Sequence, residues 1–354
     1  MNLRVLLLPG DGIGTEVTRE GVRVLEAVVK KYGHTLSTTE GLIGGVAIRE
    51  TGSALPEETI RLALEADATL MGAVGHPEFD KLAPEQRPER GLLGIRKVLG
   101  VYANLRPVRS YKALLESSPL KNDRIDGVDM IIVRELTGGL YYGMPRGISG
   151  EGDEETGINT MIYTRAEIRR ITRKAFQLAR GRRKKVTSVD KFNVLETSQL
   201  WHRVVEEVAP EFPDVKLEHL IVDNCAMQLI LNPKQFDVLL TENMFGDILS
   251  DEGAVLAGSI GMLPSASIGD DKGLYEPVHG SAPDIAGHNK ANPLGAIGSV
   301  AAMLEYSFGL KKEADAVNAA IEEVLNSGAV TADLNPRGNP ASTEEVGRAV
   351  AALV

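Results

Sequence analysis

Short apolar runs alternate with longer segments of helical period along most of the chain, and this alternation limits the possible folds more than any other feature. Val5–Leu8 has the composition of a buried strand, and Glu16–Lys31 carries apolar residues on one helical face. Further runs of strand length are Thr69–Ala73, Met130–Val133, Val186–Val189 and Phe236–Leu240. Such alternation is typical of an α/β fold with a largely parallel sheet. We therefore predict this fold class, with ligands bound beyond the carboxyl ends of the strands.

Size and charge exclude several classes of protein. A length of 354 residues predicts two domains, at roughly 150 residues each, and a single Cys excludes a disulfide framework or a cysteine zinc cage. A net charge of −10 argues against nucleic-acid binding, and we interpret the basic run Arg180–Lys185 as the end of a helix. No apolar run suits a membrane span or a signal peptide, so we expect a cytoplasmic protein.

Three stretches depart from the alternation. Leu136–Met161 is rich in Gly, Tyr and acidic residues and predicts hairpins or a projecting arm. Gly258–His288 has no helical period and predicts long ordered loops. Gly10–Gly14 follows the first strand as a dinucleotide-binding turn does, but Thr15 occupies the position of the third glycine of that motif. We interpret Gly10–Gly14 as a tight turn between strand and helix.

A pair of aspartates follows the strand Phe236–Leu240. Asp247 and Asp251 are four residues apart, so helical spacing places them on one face with Asn243. Adjacent carboxylates repel each other, and a divalent cation such as Mg²⁺ or Mn²⁺ relieves that repulsion. Asp223 ends another apolar run and is a third candidate ligand. The alternative interpretation is that these are solvated surface acids.

Three arginines lie at or near the ends of predicted elements. Arg106 precedes Pro107, which favours extended backbone at a strand end, and Arg134 follows Met130–Val133. Arg96 shares a helical face with Leu92, four residues earlier. Each alone is typical of a surface ion pair. Together they indicate a clamp for a substrate with more than one carboxylate, because guanidinium binds carboxylate bidentately.

Lys191 and Tyr141 are the candidate acid–base residues. Lys191 follows the strand Val186–Val189, and a lysine near a divalent cation and arginines can act as a base near neutral pH. Tyr141 lies in a turn bounded by glycines, and a core ring is its alternative interpretation. Among the histidines, His279 lies in a stretch suggestive of ligand binding, and Cys225 is expected to be a small buried hydrophobe.

These motifs, taken in order, resemble the isocitrate/isopropylmalate dehydrogenases, which are β-decarboxylating enzymes. Thr15, where the family commonly has Pro, and the acidic stretch Glu151–Glu155 are departures from the family pattern. The matching segments are Leu8–Gly14, Ala103–Pro107, Val133–Tyr141, Val189–Lys191, Phe245–Asp251 and His279–Gly287.

The resemblance implies a two-domain, non-Rossmann α/β fold with a discontinuous first domain. Residues 1–101 and 258–354 would form a cofactor-binding domain. Residues 102–257 would form the dimerisation and substrate/metal domain, with a projecting β arm. The resemblance also implies a homodimer with a shared active site, in which Lys191 and Asp223 enter the cleft of the partner.

The resemblance further implies NAD and either Mg²⁺ or Mn²⁺ as cofactors. Lys191 and Tyr141 would transfer protons, and Asp284 would bind the adenosine ribose and disfavour NADP. The residues implied to bind the substrate are Arg96, Arg106, Arg134, Asp223 and Leu92. Those implied to bind the metal are Asp223, Asp247 and Asp251. Those implied to bind NAD are His279, Gly280, Ser281, Ala282, Pro283, Asp284 and Asn292.

The implied reaction is the oxidative decarboxylation of a malate with a substituent at C3. Leu92 and Leu93 offer an apolar surface that favours an isopropyl group, which would make the substrate (2R,3S)-3-isopropylmalate and the product 4-methyl-2-oxopentanoate, in leucine biosynthesis. D-malate, tartrate, isocitrate and homoisocitrate are alternative substrates. A non-catalytic dicarboxylate-binding protein is the alternative outside the enzymes, although it would not need Lys191, Tyr141 and three aspartates together.

Overall fold

The computed structural model describes residues 1–335 and 338–354 and divides into two compact units. Unit 1 contains both ends of the chain: Met1–Val101, Ser110–Asn122 and Ala254–Val354. Unit 2 consists of Tyr102–Arg109 and Asp123–Gly253. The predicted boundaries put residues 110–122 and 254–257 in the second domain, whereas the structure groups them with unit 1.

The strands are short and mostly buried. In chain order they are β1 (Asn2–Gly10), β2 (Thr35–Glu40), β3 (Ala68–Ala73), β4 (Ala103–Arg109), β5 (Asp129–Glu135), β6 (Gly147–Ser149), β7 (Thr156–Ile158), β8 (Lys185–Asp190), β9 (Lys216–Ile221), β10 (Val238–Thr241), β11 (Pro264–Ile268) and β12 (Gly273–Pro277).

The helices flank these strands. In chain order they are α1 (Gly14–Lys31), α2 (Gly45–Thr51), α3 (Glu57–Glu65), α4 (Glu89–Val98), α5 (Asn122–Ile125), α6 (Arg165–Arg180), α7 (Glu196–Val208), α8 (Val222–Leu231), α9 (Asn243–Ala257), α10 (Leu294–Tyr306), α11 (Lys311–Ser327) and α12 (Thr343–Leu353). No helix within 1–335 or 338–354 is long and apolar enough to cross a membrane.

In unit 1 the strands lie in the order β2-β1-β3-β12-β11. Strand β1 pairs in parallel with β2 and β3, and β11 is antiparallel to β12. Helix α10 is buried along most of its length and packs against β11 and β12, while α1 packs against α10 and α12. Burial on nearly all sides explains why α10 is apolar all round rather than on one stripe.

In unit 2 the order is β4-β5-β10-β8-β9. Strands β5, β10, β8 and β9 are parallel, and β4 is antiparallel to β5. Helices α6 and α7 pack against this sheet. The carboxyl ends of four strands therefore meet at one edge, which is where polar residues can gather around a ligand.

Strands β6 and β7 form a separate antiparallel hairpin in unit 2. Residues Gly147–Ser149 pair with Thr156–Ile158, and all six are exposed. The prediction of a hairpin within Leu136–Met161 is therefore confirmed.

The apolar runs predicted as strands are confirmed, but three local predictions are wrong. Gly258–His288 contains the buried strands β11 and β12 rather than only loops; its Gly, Pro and Ser residues concealed a strand pair with few large apolar side chains. Arg106 lies in the middle of β4, because Pro107 is accommodated within that strand rather than ending it. Arg134 lies within β5 rather than after it.

Candidate active site

Helix α9 begins directly after β10 and carries the aspartate pair. The Glu242 carboxylate accepts hydrogen bonds from the backbone N–H groups of Met244 (3.1 Å) and Phe245 (2.6 Å), so it caps the helix. The Tyr163 hydroxyl donates to Glu242 across 3.0 Å. Burial raises the pKa of Glu242, and these donors oppose that rise. The cap fixes the direction of α9 and with it the positions of Asp247 and Asp251.

Arg134 crosses from β5 to the first turns of α9. Its Nε and Nη2 donate to Asn243 Oδ1 at 3.0 and 2.7 Å, and its Nη1 donates to Asp247 Oδ1 at 2.5 Å. A Cβ at Gly246 would lie 2.2 Å from Thr241 Oγ1 and 2.8 Å from Arg134 Cγ. Glycine at position 246 therefore allows the close approach of the helix to this buried guanidinium.

Arg106 reaches the same helix from β4. It donates to Ser250 Oγ at 2.5 Å, and its guanidinium lies 3.5 Å from Asp251 Oδ1 and 3.4 Å from Asp247 Oδ1. Both guanidinium groups thus converge on the acidic face of α9. The arginine side chains are nearly buried, whereas those of Asp247 and Asp251 are 34% and 61% exposed, so the carboxylates form the accessible side of the cluster.

Tyr141 completes this cluster. It lies in a single turn, Gly139–Tyr141, and its hydroxyl donates to Asp247 Oδ2 across 2.9 Å. Burial raises the pKa of Tyr141, the Asp247 charge adds to the rise, and Arg134 opposes it. The phenol therefore stays protonated at neutral pH.

The donor set on α9 suits a hard cation. Asp247 and Asp251 present carboxylate oxygens from one helical face, and Mg²⁺ and Mn²⁺ prefer such ligands. Burial raises the pKa of Asp251, and the neighbouring charge of Asp247 raises it further, while Arg106 lowers it. A cation bound by Asp251 would favour the charged form of its carboxylate, which burial disfavours.

Lys191 and Asp223 form a second cluster. Lys191 follows β8, Asp223 lies in the first turn of α8, and the two side chains form an ion pair. In the described part of the chain, one group of three metal-capable side chains has ligand atoms within 4.8 Å of one another, and it consists of Asp190, His202 and His219. A single chain therefore does not gather Asp223 with Asp247 and Asp251.

Arg96 lies on α4 in unit 1. Its Nη2 donates to Glu276 Oε1 across 2.6 Å, and both side chains are almost fully buried. Leu92 lies one turn before Arg96 and is half-buried. The sequence analysis missed Glu276, because a contact between residues 180 positions apart leaves no local pattern.

The predicted cofactor segment begins against the turn after β1. The Ile13 N–H donates to the Ser281 carbonyl across 2.8 Å, and a Cβ at Gly12, where φ is +56°, would lie 2.0 Å from that oxygen. This close approach supports the interpretation of Gly10–Gly14 as a tight turn. The surrounding pocket encloses about 410 Å³ and is lined by Gly10, Asp11, Gly12, Val46, Arg49, His76, Pro283, Ala286 and Gly287.

The other predicted cofactor residues differ in exposure. Gly280 and Asp284 are exposed and Ala282 is half-buried. His279 Nδ1 lies 2.9 Å from the Gly280 carbonyl oxygen, while its Nε2 is buried and has no hydrogen-bond partner within 1–335 or 338–354. The Asn292 amide is already used: Nδ2 donates to Asp333 at 3.0 Å, and Oδ1 accepts from the Leu294 N–H at 3.0 Å, next to the start of α10.

Within unit 2, Tyr141, Arg106 and Arg134 surround the carboxylates of Asp247 and Asp251, an arrangement suited to a carboxylate ligand and a divalent cation. The chain belongs to the isocitrate/isopropylmalate dehydrogenase family, whose profile matches residues 4–350, and it is therefore an oxidoreductase. The α/β fold of this family, predicted from the sequence, is confirmed.

Curated relatives cover nearly the whole chain. A 3-isopropylmalate dehydrogenase of Geobacillus kaustophilus is 61% identical over 95% of this chain and 91% of its own length. A protein of the same name from Priestia megaterium is 57% identical over 100% of this chain and 96% of its own length.

A solved structure of an isocitrate dehydrogenase from Methylococcus capsulatus is 35% identical, covers 99% of this chain and 98% of its own, and superposes with a TM-score of 0.88.

Proposed function

We propose that the chain catalyses the NAD-dependent oxidative decarboxylation of (2R,3S)-3-isopropylmalate to 4-methyl-2-oxopentanoate, a step of leucine biosynthesis. The observation that carries the substrate assignment is the 56–61% identity to proteins named 3-isopropylmalate dehydrogenase. The reaction fits the cluster in which Arg106, Arg134 and Tyr141 converge on Asp247. We also propose that the enzyme acts in the cytoplasm.

The arginines are proposed to bind the two substrate carboxylates. Arg106 and Arg134 are held by Ser250 and Asn243, so their guanidinium planes are fixed before substrate arrives. This preorganisation lowers the entropy lost on binding. Arg96, fixed by Glu276, is the third proposed substrate ligand, and Leu92 on the same helical face is proposed to contact the isopropyl group.

Asp247 and Asp251, with Asp223, are proposed to hold Mg²⁺ or Mn²⁺. A bound divalent cation stabilises negative charge on the substrate oxygens during oxidation and decarboxylation. Because Asp223 is paired with Lys191 away from the other two ligands, we propose that Asp223 and Lys191 act in the site of a second copy. The active site would then be shared between the subunits of a homodimer.

The two proton transfers are assigned to different residues. Lys191 is proposed to accept the proton of the C2 hydroxyl, and NAD, if held by His279–Asp284 and Asn292, would supply the acceptor for the C2 hydride. After loss of carbon dioxide, the Tyr141 hydroxyl is proposed to donate a proton to C3. The raised pKa of Tyr141 fits a donor rather than a base.

His279–Asp284 and Asn292 are proposed to bind NAD. The support is the pocket in which Pro283 lies opposite the turn Gly10–Gly12, with exposed Asp284 next to it in sequence. A carboxylate at position 284 would accept hydrogen bonds from the ribose hydroxyls of NAD and would repel the 2′-phosphate of NADP.

Exposed apolar side chains in unit 2 support the proposed homodimer. Met227 and Leu231 are one turn apart on α8 and are 56% and 53% exposed, and Ile248 on α9 is 61% exposed. Apolar residues so close to the proposed metal ligands Asp223 and Asp247 would become buried if a second copy covered them.

The proposed function is tested by following NADH absorbance with chelator-treated enzyme and a panel of 2-hydroxy acids. We expect activity with 3-isopropylmalate only after Mg²⁺ or Mn²⁺ is added, and a lower kcat/KM with D-malate, tartrate and isocitrate. A higher kcat/KM with isocitrate, or with NADP than with NAD, would contradict the substrate or cofactor assignment. Full activity after chelation would contradict the metal assignment.

A further inference from the structure

A group of histidine and aspartate side chains lies outside the residues assigned above. Asp190 is the last residue of β8, His202 lies on α7, and His219 lies on β9. In the parallel register, His219 is opposite Ser188, which lies two residues before Asp190. The side chains of His219 and Asp190 therefore lie on the same face of the sheet. Trp201 Nε1 donates to Ser188 Oγ across 3.2 Å, which places α7 over the same face.

The distances within this group suit a tetrahedral ion. Asp190 Oδ2 lies 3.0 Å from His202 Nδ1 and 3.9 Å from His219 Nδ1. Ligand atoms about 2.0–2.1 Å from a tetrahedral Zn²⁺ are separated by about 3.3 Å, between these two values. The Phe192 N–H donates to Asp190 Oδ1 at 3.1 Å and so orients the carboxylate with Oδ2 toward the histidines.

His219 is the member of this group whose ring nitrogens lack hydrogen-bond partners in the described residues. Both ring nitrogens are buried and neither has a hydrogen-bond partner among residues 1–335 and 338–354. The ring stacks on His202 with centroids 3.7 Å apart. Buried imidazole nitrogens without partners are unfavourable unless something else binds them.

We propose that Asp190, His202 and His219 form a binding site for a divalent transition metal ion, with Zn²⁺ the best match. Two imidazoles and a carboxylate are ligands that zinc prefers, whereas Mg²⁺ prefers oxygen ligands alone. A water molecule can supply the fourth ligand, while Glu206 Oε1 lies 3.7 Å from His202 Nε2, the ring nitrogen that is not next to Asp190. The ion would tie α7 to β8 and to β9, the end strand of the unit 2 order.

The test uses the full-length protein after chelation and dialysis, with excess Mg²⁺ present to occupy hard-oxygen sites. Zn²⁺ is titrated by calorimetry, and Co²⁺ is added separately to record visible absorption from nitrogen and oxygen ligands. We expect one Zn²⁺ per chain, a rise in melting temperature on binding, and affinity at least about tenfold lower in His202→Gln and in His219→Gln.

Two variants serve as controls. His34→Gln changes a histidine of unit 1 whose partner is Glu313, and Asp247→Asn changes the proposed magnesium site; both should retain Zn²⁺ affinity. Unchanged affinity in both His202→Gln and His219→Gln would overturn the proposal, and so would loss of the zinc in Asp247→Asn. Because the readout is zinc binding, failure here leaves the dehydrogenase reaction untouched.

Discussion

Tyr141 donates its hydroxyl hydrogen to Asp247 Oδ2, and Arg134 donates to the other oxygen of the same carboxylate. One carboxylate therefore orients both the proposed proton donor and a proposed substrate ligand. Binding of a cation at Asp247 would compete with these hydrogen bonds.

Replacement of Tyr141 by Phe removes the donor and leaves the ring. We expect kcat to fall by about 100-fold to 10,000-fold, the usual contribution of a general acid, with little change in melting temperature. NADH formation under saturating substrate measures the loss. Tyr306→Phe, on a tyrosine 37% exposed in unit 1, is the matched control and should keep wild-type kcat. Wild-type kcat in Tyr141→Phe would remove Tyr141 from the mechanism.

Mixing two inactive variants tests whether the active site is shared. Lys191→Ala and Asp247→Asn are each expected to be inactive alone. In a mixed dimer, one site would combine the intact Asp247 of one chain with the intact Lys191 of the other, whereas the second site would carry both changes. After denaturation and refolding of an equimolar mixture, about one quarter of wild-type activity is expected, since half of the dimers are mixed. No recovery, with dimers confirmed by light scattering, would indicate that each chain contains its own Lys191 and Asp247.

Leu92 is expected to determine the preference for an apolar substituent. Leu92→Ser should lower kcat/KM for 3-isopropylmalate by about 10-fold to 200-fold, because a lost apolar contact has an effect of that size. The kcat/KM for D-malate, which lacks the isopropyl group, should change much less. Leu64→Ser, at a leucine that is 51% exposed on α3, is the control. An equal loss of kcat/KM with both substrates would indicate that Leu92 stabilises α4 and does not determine substrate specificity.

His279 is expected to make stability depend on pH. Burial lowers its pKa below the usual value near 6.5, while the Gly280 carbonyl and the Asp333 charge oppose that shift. As pH falls below about 6.5, the unfolded state therefore binds a proton that the folded state resists, and the free energy of unfolding decreases. The decrease ends once pH is below the folded-state pKa.

Urea unfolding at several pH values between 5 and 8 measures this dependence. The His279→Gln variant should show a shallower decrease in unfolding free energy over that range. His288→Gln, at an exposed histidine nine positions later, should keep the wild-type slope. Identical slopes in His279→Gln and the wild type would show that another group is responsible.

Local sequence patterns were sufficient to predict the parts of the site that lie on a single helix or strand. The spacing of Asn243, Asp247 and Asp251 and the apolar run before them place all three on one face of α9, and the structure agrees. Strand length and turn glycines likewise predicted β8 and the turn after β1. These features depend on a few neighbouring residues, and the sequence records them directly.

Contacts between distant segments could not be predicted in this way. The pairing of Arg96 with Glu276 depends on how α4 lies against β12, and the approach of His202 to His219 depends on α7 lying over β9. Histidines on a helix and on a strand show no spacing pattern in common. Strands β11 and β12 were missed for a related reason, since small residues buried by α10 lack the apolar signal of a strand.

The most direct test of the proposed function is the stoichiometry of the oxidative decarboxylation. Purified enzyme is incubated with NAD, Mn²⁺ and a limiting amount of (2R,3S)-3-isopropylmalate, and NADH, carbon dioxide and 4-methyl-2-oxopentanoate are measured at completion. We predict equal amounts of all three products, each equal to the substrate consumed. Formation of NADH without carbon dioxide, or no NADH at all, would contradict oxidative decarboxylation of this substrate.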